Sequence, residues 1–112
     1  MKSYTDISQS KKLAEILPLE SADMYWWYSG KRYYIEAMDD GDFNEKEGHV
    51  RAWSLTALLN VLPEGYSTVL TKSFNGKDYY CMIDGKPFET EADNPVDACV
   101  AMIEKLNELK ML

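Results

Sequence analysis

One histidine, His49, and two cysteines, Cys81 and Cys99, are all the soft metal ligands that this sequence holds. Tetrahedral zinc needs several such groups close together, so neighbouring residues cannot build a transition-metal site. Both cysteines are flanked by apolar residues in stretches that read as regular structure, and they are expected to be buried free thiols that pack as small hydrophobes. With only 6 Gly and 4 Pro in 112 residues there is no low-complexity linker, and one domain, 1–112, is expected. Positive charge is scarce too: 12 Lys plus Arg face 19 Asp plus Glu, a net charge of −7. No Lys or Arg cluster interrupts the excess, so a phosphate backbone would be repelled and nucleic acid is not an expected partner. No apolar run reaches the roughly 18 residues of a membrane span, and Met1-Lys2-Ser3-Tyr4-Thr5-Asp6 opens no signal-like apolar stretch. The expected location is the cytoplasm, with no membrane partner.

Catalytic signatures are missing as well. No G-x-S-x-G, H-E-x-x-H, Walker loop or G-x-G-x-x-G occurs, so the reading is a protein that is not an enzyme and carries no cofactor. An acidic stretch follows the first hairpin, Asp39-Asp40-Gly41-Asp42-Phe43-Asn44-Glu45-Lys46-Glu47. Asp40, Asp42 and Asn44 alternate as the first ligands of a calcium loop do, but Glu45 and Arg51 stand where that loop needs its glycine and its bidentate glutamate. The stretch is read as a solvated acidic turn with no metal, and His49 as a surface or capping histidine.

What is present is pattern. Tyr28-Ser29-Gly30-Lys31-Arg32-Tyr33-Tyr34 reappears as Phe74-Asn75-Gly76-Lys77-Asp78-Tyr79-Tyr80, and Leu13-Ala14-Glu15-Ile16-Leu17-Pro18 as Leu58-Leu59-Asn60-Val61-Leu62-Pro63. The chain therefore reads as an internal repeat, about 6–43 and 50–88, with a closing helix at about 95–110. Helix signals fall at 7–17, with Asp6 as N-cap and Gln9 completing a capping box, and at 50–62, with leucines at helical spacing before Pro63. A third starts at Asn94-Pro95, with Asp97 in the first turn. Aromatic and β-branched runs predict strands at 24–28, 32–38, 68–74 and 79–83, and Asp84-Gly85 the start of another through Phe88. Asn75-Gly76 is the pair favoured in a two-residue type I′ turn. The expectation is α+β: three helices with one antiparallel sheet of four to six strands, a duplicated αββ unit plus a C-terminal helix (αββαββα), arranged as an α-β-α sandwich.

Ala52-Trp53-Ser54-Leu55-Thr56-Ala57-Leu58-Leu59 followed by Leu62-Pro63, and the tail Ala92-Asp93-Asn94-Pro95-Val96-Asp97-Ala98-Cys99-Val100-Ala101-Met102-Ile103-Glu104, resemble stretches of small uncharacterised proteins of phages and mobile elements of gut bacteria. The likeness covers about 52–110. In its order of helix, antiparallel strands and helix the chain is also similar to the phage α-β-α sandwich domain. Both resemblances rest on caps and core faces, and neither implies an activity.

The most distinctive feature is aromatic. Tyr25, Trp26, Trp27, Tyr28, Tyr33 and Tyr34 gather in one predicted hairpin, and residues of this kind supply interface area at small entropy cost. Trp26, Trp27, Tyr33 and Tyr34 are the candidate binding residues. The leading functional expectation is a non-catalytic protein-binding or assembly module, with a protein partner or self-association as a homodimer. The alternatives are an acidic decoy of a host nucleic-acid-binding protein, which requires a continuous stripe of carboxylates, and a small-molecule binder or enzyme working in a cleft between the repeats.

Overall fold

Helix α1, Ile7–Ile16, starts where Asp6 accepts the Gln9 N–H at 2.8 Å while the Gln9 side chain accepts the Asp6 N–H at 3.1 Å, the reciprocal pair of a capping box. The computed structural model describes residues 2–38 and 42–112. Helix α1 ends before Pro18, with Leu17 extended. Helix α3, Pro95–Glu108, is capped by Asn94, whose side chain accepts the Asp97 N–H at 2.9 Å.

Helix α2 spans only Leu55–Val61, a correction to the expected 50–62. Asp23 holds Ser54 from both sides, accepting its N–H at 2.9 Å and its hydroxyl, which keeps Ser54 extended. Ser54 then caps the helix by accepting the Ala57 N–H at 3.2 Å, so no helical turn can precede it. Ser54→Ala is expected to cost about 1 kcal/mol in urea denaturation. A loss of no more than about 0.3 kcal/mol, well below the range for a lost cap, would show that the cap does not set this boundary.

The strands are β1 Met24–Tyr28, β2 Tyr33–Ala37, β3 Val50–Ala52, β4 Thr68–Lys72, β5 Tyr79–Ile83 and β6 Glu89–Ala92. The chain is α+β, with three helices, but its six strands form two separate antiparallel sheets, β2-β1-β3 and β4-β5-β6, in place of the single expected sheet. The order of elements is helix, hairpin, strand, twice over, then a helix. The strand order differs between the halves for a reason of chain length. The 38–49 connection is long enough to reach the far side of β1, whereas the 84–88 connection is a tight turn that leaves β6 beside β5. That turn also moves the last strand beyond Phe88, where the sequence had placed its end.

The two hairpin turns differ despite their similar sequences. Ser29 N–H bonds the Arg32 carbonyl at 3.0 Å around Gly30 (φ 95°), while the second loop closes from Ser73 N–H to the Asp78 carbonyl at 2.8 Å. Within that longer loop Gly76 has positive φ and Asn75 does not, so no type I′ turn forms. The Asn75 side chain instead accepts the Ser73 hydroxyl and the Lys77 N–H. Phe74, aligned with Tyr28 in sequence, is consequently pushed fully into solvent.

The α-β-α sandwich is likewise corrected. Helix α3 covers one face of the C-terminal sheet, where Cys81 and Ile83 are buried, while Val69, Thr71, Glu89 and Glu91 stand exposed on the other. Helix α1 packs against β3, and α2 against α3. One cluster of buried side chains runs from Leu13 and Leu17 through Trp53, Leu58 and Cys81 to Cys99, Met102, Ile103 and Leu106. Each fully buried aliphatic side chain there contributes roughly 1.5–3 kcal/mol.

Candidate binding cleft on the N-terminal sheet

Alternation along β1 sends Trp26 and Tyr28 to one face and Tyr25 and Trp27 to the other. The register places Ile35 and Val50 beside Trp26, Tyr33 beside Tyr28, Tyr34 beside Trp27, and Glu36 and Arg51 beside Tyr25. The four candidate aromatics are therefore split between faces. Trp26 and Tyr33 share one, Trp27 and Tyr34 the other.

On the first face Trp26 fastens the N-terminal segment. Its indole N–H donates to the Thr5 carbonyl at 3.0 Å, and Tyr4 meets the ring edge-on at 5.5 Å. Tyr33 leans on Tyr28 at 4.9 Å at the end of the hairpin, 38% and 56% exposed respectively. On the second face Trp27 stacks on Tyr34 at 4.9 Å, and the Arg32 guanidinium lies over the Tyr34 ring at 4.6 Å.

The second face also carries a cleft of about 600 Å³, lined by Tyr25, Trp27, Glu36, Asp42, Phe43, Asn44, Glu47 and His49. Tyr25 forms its buried floor and donates its hydroxyl to Glu36 at 3.1 Å. His49 stacks on Tyr25 at 5.2 Å with nearly parallel planes, and Phe43 meets Tyr25 edge-on at 5.6 Å. The Asn44 N–H donates to His49 Nδ1 at 3.0 Å. A nitrogen that accepts cannot also carry a proton, so the neutral ring is protonated at Nε2, which faces a Glu47 oxygen at 3.8 Å. Asn44 itself accepts the Lys46 N–H at 3.0 Å and starts the short 3-10 turn Glu45–Glu47 that aims Glu47 at the cleft.

The charge is one-sided. Glu36, Asp42 and Glu47 line the cleft, and among the described residues no Lys or Arg does. Arg51, opposite Tyr25 in the sheet, is engaged with Glu45 at 2.6 Å and with the Leu17 carbonyl at 3.1 Å. One donor is also left over: Trp27 Nε1 is buried without a hydrogen-bond partner among the described residues.

The other features of the chain carry less chemistry. A second depression, about 480 Å³, follows the 84–88 turn beside Val69 and Met82. Its charges are of mixed sign, and Lys86 is already seated over Tyr66 at 4.7 Å. Cys81 and Cys99 are free and fully buried. The hydrogen bond to Cys81, together with burial, pushes the Cys99 thiol up, away from the thiolate that nucleophilic chemistry needs. Among the described residues no three His, Cys, Asp or Glu side chains converge to hold a metal ion. Asp39, Asp40 and Gly41 of the calcium-loop comparison lie outside the described residues.

Of the residues singled out by the sequence, Trp27 lines this cleft, and Tyr34 stacks on Trp27 without lining the cleft itself. Tyr25, Glu36, Phe43 and His49 were not singled out, although Tyr25 shares the parity of Trp27 on β1. No protein family, curated protein or solved structure matches the chain. Among the described residues no helix is long and apolar enough to cross a membrane.

Proposed function

We propose that the chain is a non-catalytic protein-binding module of the small phage and mobile-element kind, and that its partner presents positive charge to the cleft on the N-terminal sheet. One observation carries the reading: three carboxylates line a cleft with an aromatic floor, and among the described residues no Lys or Arg lines it with them. Aromatic faces and carboxylates both attract a cation, and the net charge of −7 draws a basic surface in from a distance. Two copies facing each other through this cleft would set like charges together, so the reading favours a different, basic partner over a homodimer.

An NMR titration tests it with two blocked hexapeptides, one of lysine and one of glutamate. In about 150 mM salt, where exposed charges more than about 8 Å apart are largely screened, the basic peptide is expected to shift amides of β1, β2 and residues 42–49. The acidic peptide should leave them in place. Uniform shifts over the whole surface, or none, would remove the proposal. Sedimentation over a range of concentrations checks the oligomeric part, with a monomer expected.

A further inference from the structure

Resting on that reading, we infer that the group seated in the cleft is a guanidinium, so that the module binds an arginine side chain of its partner. Three features of the site separate arginine from other cations.

The first is spacing. The carboxylates line one cleft, yet no three acidic or histidine side chains among the described residues come close enough to share a small ion. A metal ion needs convergent oxygens, and an ammonium is a compact, strongly hydrated point charge. A guanidinium carries five N–H donors in a planar fork and can reach separated acceptors at once.

The second is the state of those acceptors. Glu36 uses one oxygen, Oε2, to accept the Tyr25 hydroxyl at 3.1 Å, and among the described residues its other oxygen takes no hydrogen bond. Glu47 is 68% exposed, and its oxygen stands 3.8 Å from His49 Nε2, beyond hydrogen-bond length. With Nδ1 accepting the Asn44 N–H, the neutral His49 ring turns its Nε2–H toward Glu47, but across 3.8 Å it makes no hydrogen bond and leaves that oxygen to a closer donor.

The third is the aromatic wall. A guanidinium is weakly hydrated and stacks on an indole or phenyl face, which an ammonium does less well. The same sheet face already holds one such pair, Arg32 over Tyr34, in a stack continuous with Trp27.

The test compares blocked tetra-arginine with blocked tetra-lysine on the full chain in about 150 mM salt, read by NMR shifts and Trp27 indole N–H frequency. Tetra-arginine is expected to bind about fivefold tighter and to move the indole resonance, the preference that a stacked and forked cation holds over a point charge. Glu36→Gln and Glu47→Gln should each weaken it about threefold, the scale of a partly exposed ion pair. Trp27→Leu should bring the two peptides to equal affinity. Glu47 is exposed, so its variant keeps the fold and leaves the test intact even where a Trp27 variant does not. Equal affinity in the unaltered chain overturns the guanidinium while the basic-partner reading stands. Failure of both peptides to bind at the cleft overturns both.

Discussion

Trp53→Ala is expected to lower the stability of the chain by about 3–5 kcal/mol, the range for truncating a fully buried tryptophan. Trp53 is wholly enclosed in the central cluster and lies where β3 gives way to α2. Its indole N–H donates to the Ser21 hydroxyl at 2.9 Å, its backbone N–H to the Thr5 hydroxyl at 3.1 Å, and its carbonyl accepts the Thr5 N–H at 2.9 Å. The ring therefore closes the core while its backbone ties down the segment that also holds Trp26. Alanine keeps the backbone bonds but leaves a cavity and removes the indole donor from the Ser21 hydroxyl, which keeps its own bond to the Pro18 carbonyl at 2.6 Å. Against a total stability of about 5–15 kcal/mol for a domain of this kind, the loss brings the variant near unfolding.

Thermal melting followed by circular dichroism should show Tm falling by at least about 12 °C. Trp53→Phe is the control. It keeps most of the apolar volume and loses the indole hydrogen bond, so its cost should be less than half that of alanine. If alanine were tolerated at a cost under about 1 kcal/mol, an ordinary surface-like effect, Trp53 would not be the keystone of this core.

The parts of this architecture that were legible in the sequence are those decided within a few residues. Asp6 with Gln9, and Asn94 with Pro95 and Asp97, announce helix starts because cap, donor and first turn are neighbours along the chain. Strands β1 and β5 were readable from their aromatic and β-branched runs. The third strand of each sheet was not. Val50–Ala52 merges by composition with the leucine-rich helix after it, and only the distant Asp23, holding Ser54, separates the two. Glu89–Ala92 is polar at alternate positions because one of its faces meets water, so it carries no apolar run to find. The repeat in the sequence did not foretell the sheets, since loop length rather than residue type determines which hairpin strand becomes central.

The cleft was half legible for the same reason. The richness of the first hairpin in aromatics pointed to the right sheet, and Trp27 belongs to the site with Tyr34 stacked behind it. Which aromatics share a face depends on strand parity and register, and the pairing of Tyr25 with Glu36 appears only once β1 and β2 are aligned. His49 and Phe43 join from residues 42–49, which lie against Tyr25 of the sheet, a contact that no local pattern announces.

A second large effect is expected at Asp97, which binds the N-terminal segment to α3. Its carboxylate accepts from Lys2 at 2.9 Å, from the Gln9 side chain at 2.7 Å and from the Asn94 side chain at 2.8 Å. Partial burial pushes its pKa up, but the hydrogen bonds from Lys2, Gln9 and Asn94 outweigh that and hold the group below the usual carboxylate range. A depressed native pKa means that the unfolded chain binds the proton more readily than the native one does. The stabilisation is complete above the unfolded value, about 4, and is lost as the pH falls below it through the lower native value. Lys2 adds an alkaline edge. Burial lowers its pKa, its hydrogen bonds to Asp97 and Asp6 outweigh this and raise it, and its share is lost as the pH rises through that raised value. Asp97→Asn keeps the shape and removes the charge. It should cost about 1–2 kcal/mol at neutral pH, the scale of charged hydrogen bonds partly open to water. Urea denaturation from neutral pH down to the acid limb should then show a flatter pH dependence for the variant, with the two chains converging at the acid end. Parallel curves, separated by a constant offset, would mean that Asp97 acts through shape alone and that its ionisation does not hold the termini of the fold together.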